Sequence, residues 1–73
     1  MKSIKLGKKM SKQLIEFAEK KGDYYVELAA EHLRSREPKK AKSLLLSAVE
    51  WYKKAGNEEK ANEAQKKADV IED

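Results

Sequence analysis

Apolar residues recur at helical spacing in the stretch from Pro38 to Ala55. At about 100° per residue, one side of this stretch is apolar and the rest carries lysine, serine and glutamate. Pro38 suits the first position of a helix, Gly56 suits the residue that ends one, and Asn57 suits the cap of the next. The pattern therefore predicts a helix with both ends defined. Its apolar face consists of Ala41, Leu44, Leu45, Ala48, Trp51, Tyr52 and Ala55.

A second periodic stretch precedes this helix and is interrupted by a glycine. Its spacing predicts a helix from about Ser11 to Lys21, after which Gly22 and Asp23 favour a break and a new helix start. The helical phase nevertheless continues across Gly22, and a glycine inside a helix costs only about 1 kcal/mol. One long helix is therefore the alternative, although we favour the break. The apolar face of the first stretch consists of Met10, Leu14, Phe17 and Ala18.

The next segment, 24–35, is apolar on two sides. One apolar stripe contains Tyr24, Tyr25, Leu28, Ala29 and His32, and a second contains Val26, Ala30 and Leu33. A helix that is apolar over more than half of its circumference usually packs against neighbours on two sides. We therefore expect this segment to be central, between the preceding helix and the helix that begins at Pro38.

The connections between the predicted helices are short. Arg36 and Glu37 leave room only for an antiparallel return into the Pro38 helix. Asn57 then begins a final helix whose thin apolar stripe consists of Ala61, Ala64, Ala68 and Ile71, with Val70 to one side. The sequence thus predicts an all-α fold, a small antiparallel bundle of three or four helices. We assign residues 11–73 to this single helical domain.

Positive charge is concentrated at the N-terminus. The formal net charge is +4, and residues 1–12 contain five lysines and no acidic residue, so the rest of the chain is nearly neutral. We expect residues 1–10 to form a flexible basic arm. As an alternative function, this arm would bind nucleic acid non-specifically by neutralising phosphates. It has no arginine and no aromatic residue, which argues against specific recognition. The lysines concerned are Lys2, Lys5, Lys8, Lys9 and Lys12.

Composition and motifs argue against several other classes of protein. The chain has no cysteine, so it forms neither disulfides nor thiolate metal sites, and we expect it to be cytoplasmic. No apolar run approaches the roughly 20 residues of a membrane span. His32 is the single histidine, the glycines are isolated, and no serine lies in a strained turn. We therefore expect no cofactor, no metal, no small-molecule substrate and no enzymatic activity.

The predicted hairpin resembles a tetratricopeptide-type repeat. Tyr25, Leu28, Ala29 and His32 match the spacing of that family's first helix, and Ala41, Leu45 and Ala48 match its second. The run from Tyr52 to Ala61 is similar to the crossing between consecutive repeats. The resemblance covers residues 24 to about 71. It departs from the family where His32 replaces an aromatic residue and where Lys53 stands at a position often taken by proline. The second resemblance is to the three-helix bundle of the microtubule-interacting-and-transport type.

The tetratricopeptide resemblance implies a scaffold that binds an extended or helical peptide in a groove between helices. First helices line such a groove, so the resemblance places Tyr25, Glu27, Glu31 and Arg34 near a ligand. A separate candidate comes from the helical phase, because Leu46 points almost opposite Ala48 among polar residues. We expect Leu46 and Val49 to extend into a patch for a partner or a second copy of the chain. The sequence thus predicts a protein–protein interaction module that binds a partner or self-associates.

Overall fold

Three α-helices make up the fold in a computed structural model that describes residues 11–72. They are α1 (Lys12–Arg34), α2 (Pro38–Lys54) and α3 (Glu58–Asp69), and no strand occurs within the described range. α2 packs against both other helices. The predicted all-α bundle is confirmed, with three helices. None of the three is both long enough and apolar enough to cross a bilayer.

α1 runs without interruption through Gly22, so the favoured break at this residue is wrong and the alternative of one long helix is correct. The reason is a contact with α2. The ring of Tyr52 lies against the backbone of Gly22, where a Cβ atom would be only 2.5 Å from Tyr52 Cε1. A glycine costs about 1 kcal/mol within a helix, and the close packing that it permits here offsets that cost.

The predicted helix ends are confirmed where capping residues mark them. The Ser11 hydroxyl accepts a hydrogen bond from the Leu14 N–H at 3.1 Å, and the Asn57 side chain accepts one from the Lys60 N–H at 3.0 Å. Pro38 is the first residue of α2. Gly56 follows α2 with a φ of 77°. This left-handed conformation commonly ends a helix, and glycine adopts it most readily.

The α1–α2 turn is held by His32 and Glu37. The Glu37 N–H donates to the His32 carbonyl at 2.8 Å, and the Glu37 carboxylate contacts His32 Nδ1. This side-chain hydrogen bond, with a smaller contribution from the charge of Lys40, holds the pKa of Glu37 below its usual range. Arg36 carries the turn with a φ of 62°, which is uncommon outside glycine. His32 thus stabilises the turn between α1 and α2 through two contacts with Glu37.

Small side chains dominate the core, which has two clusters. The cluster nearer the α1–α2 turn joins all three helices and consists of Ala29, Ala41, Leu45, Ala68 and Ile71. The cluster nearer the α2–α3 turn consists of Ala48, Val49, Tyr52, Ala61 and Ala64. Val26 packs on both. The alanines let the helices approach closely, but each removes little apolar surface from water.

α2, and not segment 24–35 of α1, is the central helix, so that expectation is wrong. The segment expected to flank it on the other side is simply the first half of α1 itself. The apolar face of α2 is correspondingly wider than predicted. Val49 is 4% exposed because α3 covers this side of α2, whereas Leu44 and Trp51 are half-buried. Val49 therefore belongs to the core and does not extend a surface patch with Leu46.

Candidate functional site

A groove open to solvent runs between α1 and α3, with α2 as its floor. Its apolar end has a volume of about 200 Å³. Leu33 on α1 and Val70 at the end of α3 are 44% and 77% exposed, so large apolar side chains meet water on both sides of the groove. The lining residues are Val26, Ala29, Ala30, Leu33, Leu45, Lys67, Val70 and Ile71.

The groove continues towards the start of α3 and becomes polar there. The second part also measures about 200 Å³ and shares Val26 and Lys67 with the apolar end. Its other lining residues are Asp23, Tyr52, Lys60, Glu63 and Ala64. One continuous depression therefore offers apolar contacts at one end and charged side chains at the other.

A hydrogen-bonded network closes the polar end. Asp23 accepts a hydrogen bond from the Tyr52 hydroxyl and one from Lys60 Nζ at 3.3 Å. Beside them, Asn57 Nδ2 donates to Glu19 Oε2 at 3.1 Å. Because the partners lie on different helices, these bonds fix α1, α2 and the start of α3 to one another. The carboxylate of Asp23 is thus occupied by structural contacts.

The pKa of Tyr52 is raised above its ordinary value of 10.0, first by burial and then by its hydrogen bond to the Asp23 carboxylate. Unfolded Tyr52 therefore releases its proton at a lower pH than folded Tyr52 does. This contribution to stability is complete below about pH 10 and is lost as the pH rises above it. We expect the free energy of unfolding to fall above this pH, and less steeply in Tyr52→Phe. Urea titrations between neutral and alkaline pH measure this.

The control for that experiment is Tyr24→Phe, because Tyr24 is 56% exposed and lies on the outside of α1. This variant is expected to keep the full alkaline loss of stability, because Tyr52 and its hydrogen bond to Asp23 are unchanged in it. Deprotonation of the lysines affects all variants alike. An identical pH dependence in Tyr52→Phe and in the unsubstituted protein would mean that the Tyr52–Asp23 contact does not govern it.

The residues that the family resemblance places near a ligand lie elsewhere. Tyr25 packs against the core, and Glu27, Glu31 and Arg34 are exposed but do not line the groove. Arg34 pairs with Glu31 at 3.7 Å, as their spacing suggests. The groove is instead lined by the second apolar stripe of segment 24–35, which consists of Val26, Ala30 and Leu33. That stripe was the signal available in the sequence.

The remaining sequence candidates are placed as follows. Leu46 is 41% exposed, as its helical phase predicted. Its contact with a partner stays a prediction, and so does nucleic-acid binding by the basic arm. Lys2, Lys5, Lys8 and Lys9 lie outside the described residues, and Lys12 is the first residue of α1. Residues 11–72 contain no group of three acidic or histidine side chains suited to hold a metal ion.

The outer side of α1 carries a second surface that the sequence did not indicate. Leu14 and Phe17 were expected to pack, yet they are 53% and 54% exposed. The cause is a difference in helix length. α1 has 23 residues and α2 has 17, and the last turn of α2 reaches only as far as Phe17, whose ring meets Trp51 edge-on at 5.8 Å. Lys54 Nζ also lies over the ring of Trp51, 4.7 Å from the ring centre.

Two shallow depressions follow one another along this outer side and share Tyr24. The first, of about 320 Å³, is lined by Phe17, Lys20, Lys21 and Tyr24. The second, of about 180 Å³, is lined by Tyr24, Glu27, Leu28 and Glu31. We call these seven residues the outer face of α1. It combines exposed aromatic rings with lysines at one end and glutamates at the other.

Comparison with protein-family models, with curated proteins and with solved structures finds no significant match for this chain. The groove and the outer face of α1 are therefore the candidate functional surfaces of this chain.

Proposed function

We propose that this chain is a non-enzymatic helical module, of the tetratricopeptide-like kind, that binds a segment of a partner protein in the groove between α1 and α3. The observation that carries the proposal is the exposure of Leu33 and Val70 on opposite sides of that groove. Large apolar side chains facing each other across an open depression would gain stability by enclosing an apolar side chain.

The charges in the groove favour a particular chemistry for the partner segment. Among residues 11–72, Asp23 pairs with Lys60, whereas Lys67 forms no ion pair, although Glu63 lies one turn before it on α3. Lys67 lines both the apolar and the polar part of the groove. The segment that fits best therefore carries a large apolar residue for the Leu33–Val70 end and, nearby, a carboxylate for Lys67.

The family resemblance also favours a groove between helices, although the four residues that it places near a ligand do not line this one. α3 begins within the run from Tyr52 to Ala61 that is similar to the crossing between repeats, so it corresponds to the first helix of a following repeat. A groove between α1 and α3 is then a groove between two first helices, the place where the resemblance implies peptide binding. We place this module in the cytoplasm, which its cysteine-free sequence permits.

A peptide selection tests the proposal. The purified chain is used to select from a displayed library of random short peptides, and the enriched peptides are expected to combine a large aliphatic or aromatic residue with Asp or Glu. We expect Leu33→Glu to weaken binding of a selected peptide by about tenfold or more, because a buried, unpaired carboxylate opposes apolar contact. In a nuclear magnetic resonance titration, shifts should centre on Val26, Ala30, Leu33 and Val70.

Leu46→Glu is the matched control, since Leu46 is exposed to a similar extent on a different surface. It is expected to leave peptide affinity unchanged. The proposal fails if no peptide is enriched, or if enriched peptides bind Leu33→Glu as tightly as they bind the unsubstituted chain.

A further inference from the structure

The outer face of α1 lies on the opposite side of that helix from the groove. At 3.6 residues per turn, Tyr24 and Val26 point about 200° apart, so Tyr24 faces outward where Val26 faces α3. Tyr24 and Phe17 are 56% and 54% exposed. Leu28 follows Tyr24 by about one helical turn and is partly exposed. The outer face therefore has an apolar stripe of its own, which α2 covers only where Trp51 meets Phe17.

Charges on the outer face are separated along the helix. Lys20 and Lys21 lie before Tyr24, and Glu27 and Glu31 lie after it. With a rise of 1.5 Å per residue, the two pairs are centred about 5 Å and about 7 Å from Tyr24 in opposite directions. Two of these four charges also have contacts within the chain, and the exposed Glu16 lies beside Phe17 at the basic end. Lys21 stays beside the rings of Tyr25 and Trp51 at 5.5 and 5.8 Å, and Glu31 meets Arg34 only at an exposed 3.7 Å contact.

We propose that two copies of this chain associate through their outer faces, with the two α1 helices antiparallel and a two-fold axis beside Tyr24. A surface that is basic on one side of a centre and acidic on the other is complementary to itself after a rotation of 180°. In this arrangement the lysine pair of each copy faces the glutamate pair of the other. The two Tyr24 rings meet at the axis, and each Phe17 lies at the level of Glu31 of the partner subunit, about one turn beyond its Leu28.

The charge pattern selects this arrangement over its alternatives. Two parallel α1 helices in register would bring lysine opposite lysine and glutamate opposite glutamate, which costs free energy. A single face of one helix buries less surface than a standard interface of about 1,600 Å² in total. The dimer is therefore weak and reversible, with a dissociation constant in the micromolar range. The groove remains open in it, so this inference and the proposed function stand or fall separately.

Sedimentation equilibrium with charge-swapped variants tests the inference. The unsubstituted chain is measured from about 10 μM to about 1 mM and should pass from monomer to dimer. The double variants Lys20→Glu/Lys21→Glu and Glu27→Lys/Glu31→Lys should each associate at least tenfold more weakly, because like charges then face each other. An equimolar mixture of the two should recover association, since every facing pair in the mixed dimer is again opposite in charge.

Net charge does not explain that recovery. From a net charge of +4, the first variant becomes neutral and the second more positive, so the two do not attract as whole molecules. Lys39→Glu/Lys66→Glu makes the same change in charge away from the outer face and should leave the dimer intact. Circular dichroism confirms that each variant is folded. Lys20→Glu alone, at an exposed position, should weaken the dimer if the double variant unfolds.

Each of the following outcomes would overturn the inference. The unsubstituted chain remains monomeric up to about 1 mM, the charge variants dimerise as tightly as the unsubstituted chain, or their mixture fails to recover association. Leu33→Glu, which alters the groove, should leave dimerisation unchanged. Loss of the dimer in that variant would place the interface between copies in the groove and would likewise contradict the inference.

Discussion

Gly22→Ala is expected to destabilise the protein by about 1–3 kcal/mol, although the same change in the interior of most helices stabilises them. The added Cβ would lie 2.5–2.8 Å from three atoms of the Tyr52 ring. That ring is rigid, is only 4% exposed, and is tied to Asp23 by its hydroxyl. The contact is therefore relieved only by moving the ring or by separating α1 from α2.

Thermal unfolding measures this effect. In a domain of this size a loss of 1 kcal/mol lowers the unfolding midpoint by about 4–8 °C. The test of mechanism is a double-mutant cycle with Tyr52→Leu, which removes the ring. In that background Gly22→Ala should be neutral or stabilising. A higher unfolding midpoint for Gly22→Ala in the otherwise unsubstituted chain would show that the ring does not hold this position.

Leu45→Ala is expected to lower the free energy of unfolding by about 2–5 kcal/mol. Leu45 is 2% exposed and belongs to the cluster that joins α2 to Ala29 of α1, to Ala68 of α3 and to Ile71 just after α3; apart from Ile71, the other members of the cluster are alanines. Because its neighbours are mostly alanines, they have little volume with which to fill the cavity. Urea titration followed by circular dichroism gives the free energy.

The controls for Leu45→Ala lie on the same helix. Lys53→Ala should be nearly neutral because Lys53 is exposed. Leu46→Ala removes the same atoms from the next residue, which is 41% exposed, and should cost much less than Leu45→Ala. Equal losses at positions 45 and 46 would mean that the helical phase of α2 is incorrect.

Local signals in the sequence predicted most of the fold. The start of α2 at Pro38, its end near Gly56 and the cap at Asn57 depend on backbone geometry within a few residues, so they are legible in the chain. Each residue predicted for the α3 stripe is buried, and Val70 lies outside it as expected. Gly22 shows the limit of such reasoning, because its place inside α1 depends on a contact with a residue thirty positions later.

The candidate site was less predictable for the same reason. The second apolar stripe of α1, from Val26 to Leu33, was visible in the sequence, but its partner could not be identified before α3 was placed in space. Exposure of Phe17 depends on where α2 ends relative to α1, which no local pattern encodes. Val49 is the opposite case. Its position on α2 lies outside the predicted apolar face, yet α3 covers it.

The two ends of α3 are held by different kinds of contact. Its start is fixed by polar bonds from Asn57 to Glu19 and from Lys60 to Asp23, whereas its last turn rests on the small side chain of Ala68 and on Ile71. We therefore expect displacements of α3 to be largest at its last turn, where they alter the separation of Leu33 and Val70. Anchor side chains of different sizes would then be accepted by adjusting the width of the cleft, without repacking α1 against α2.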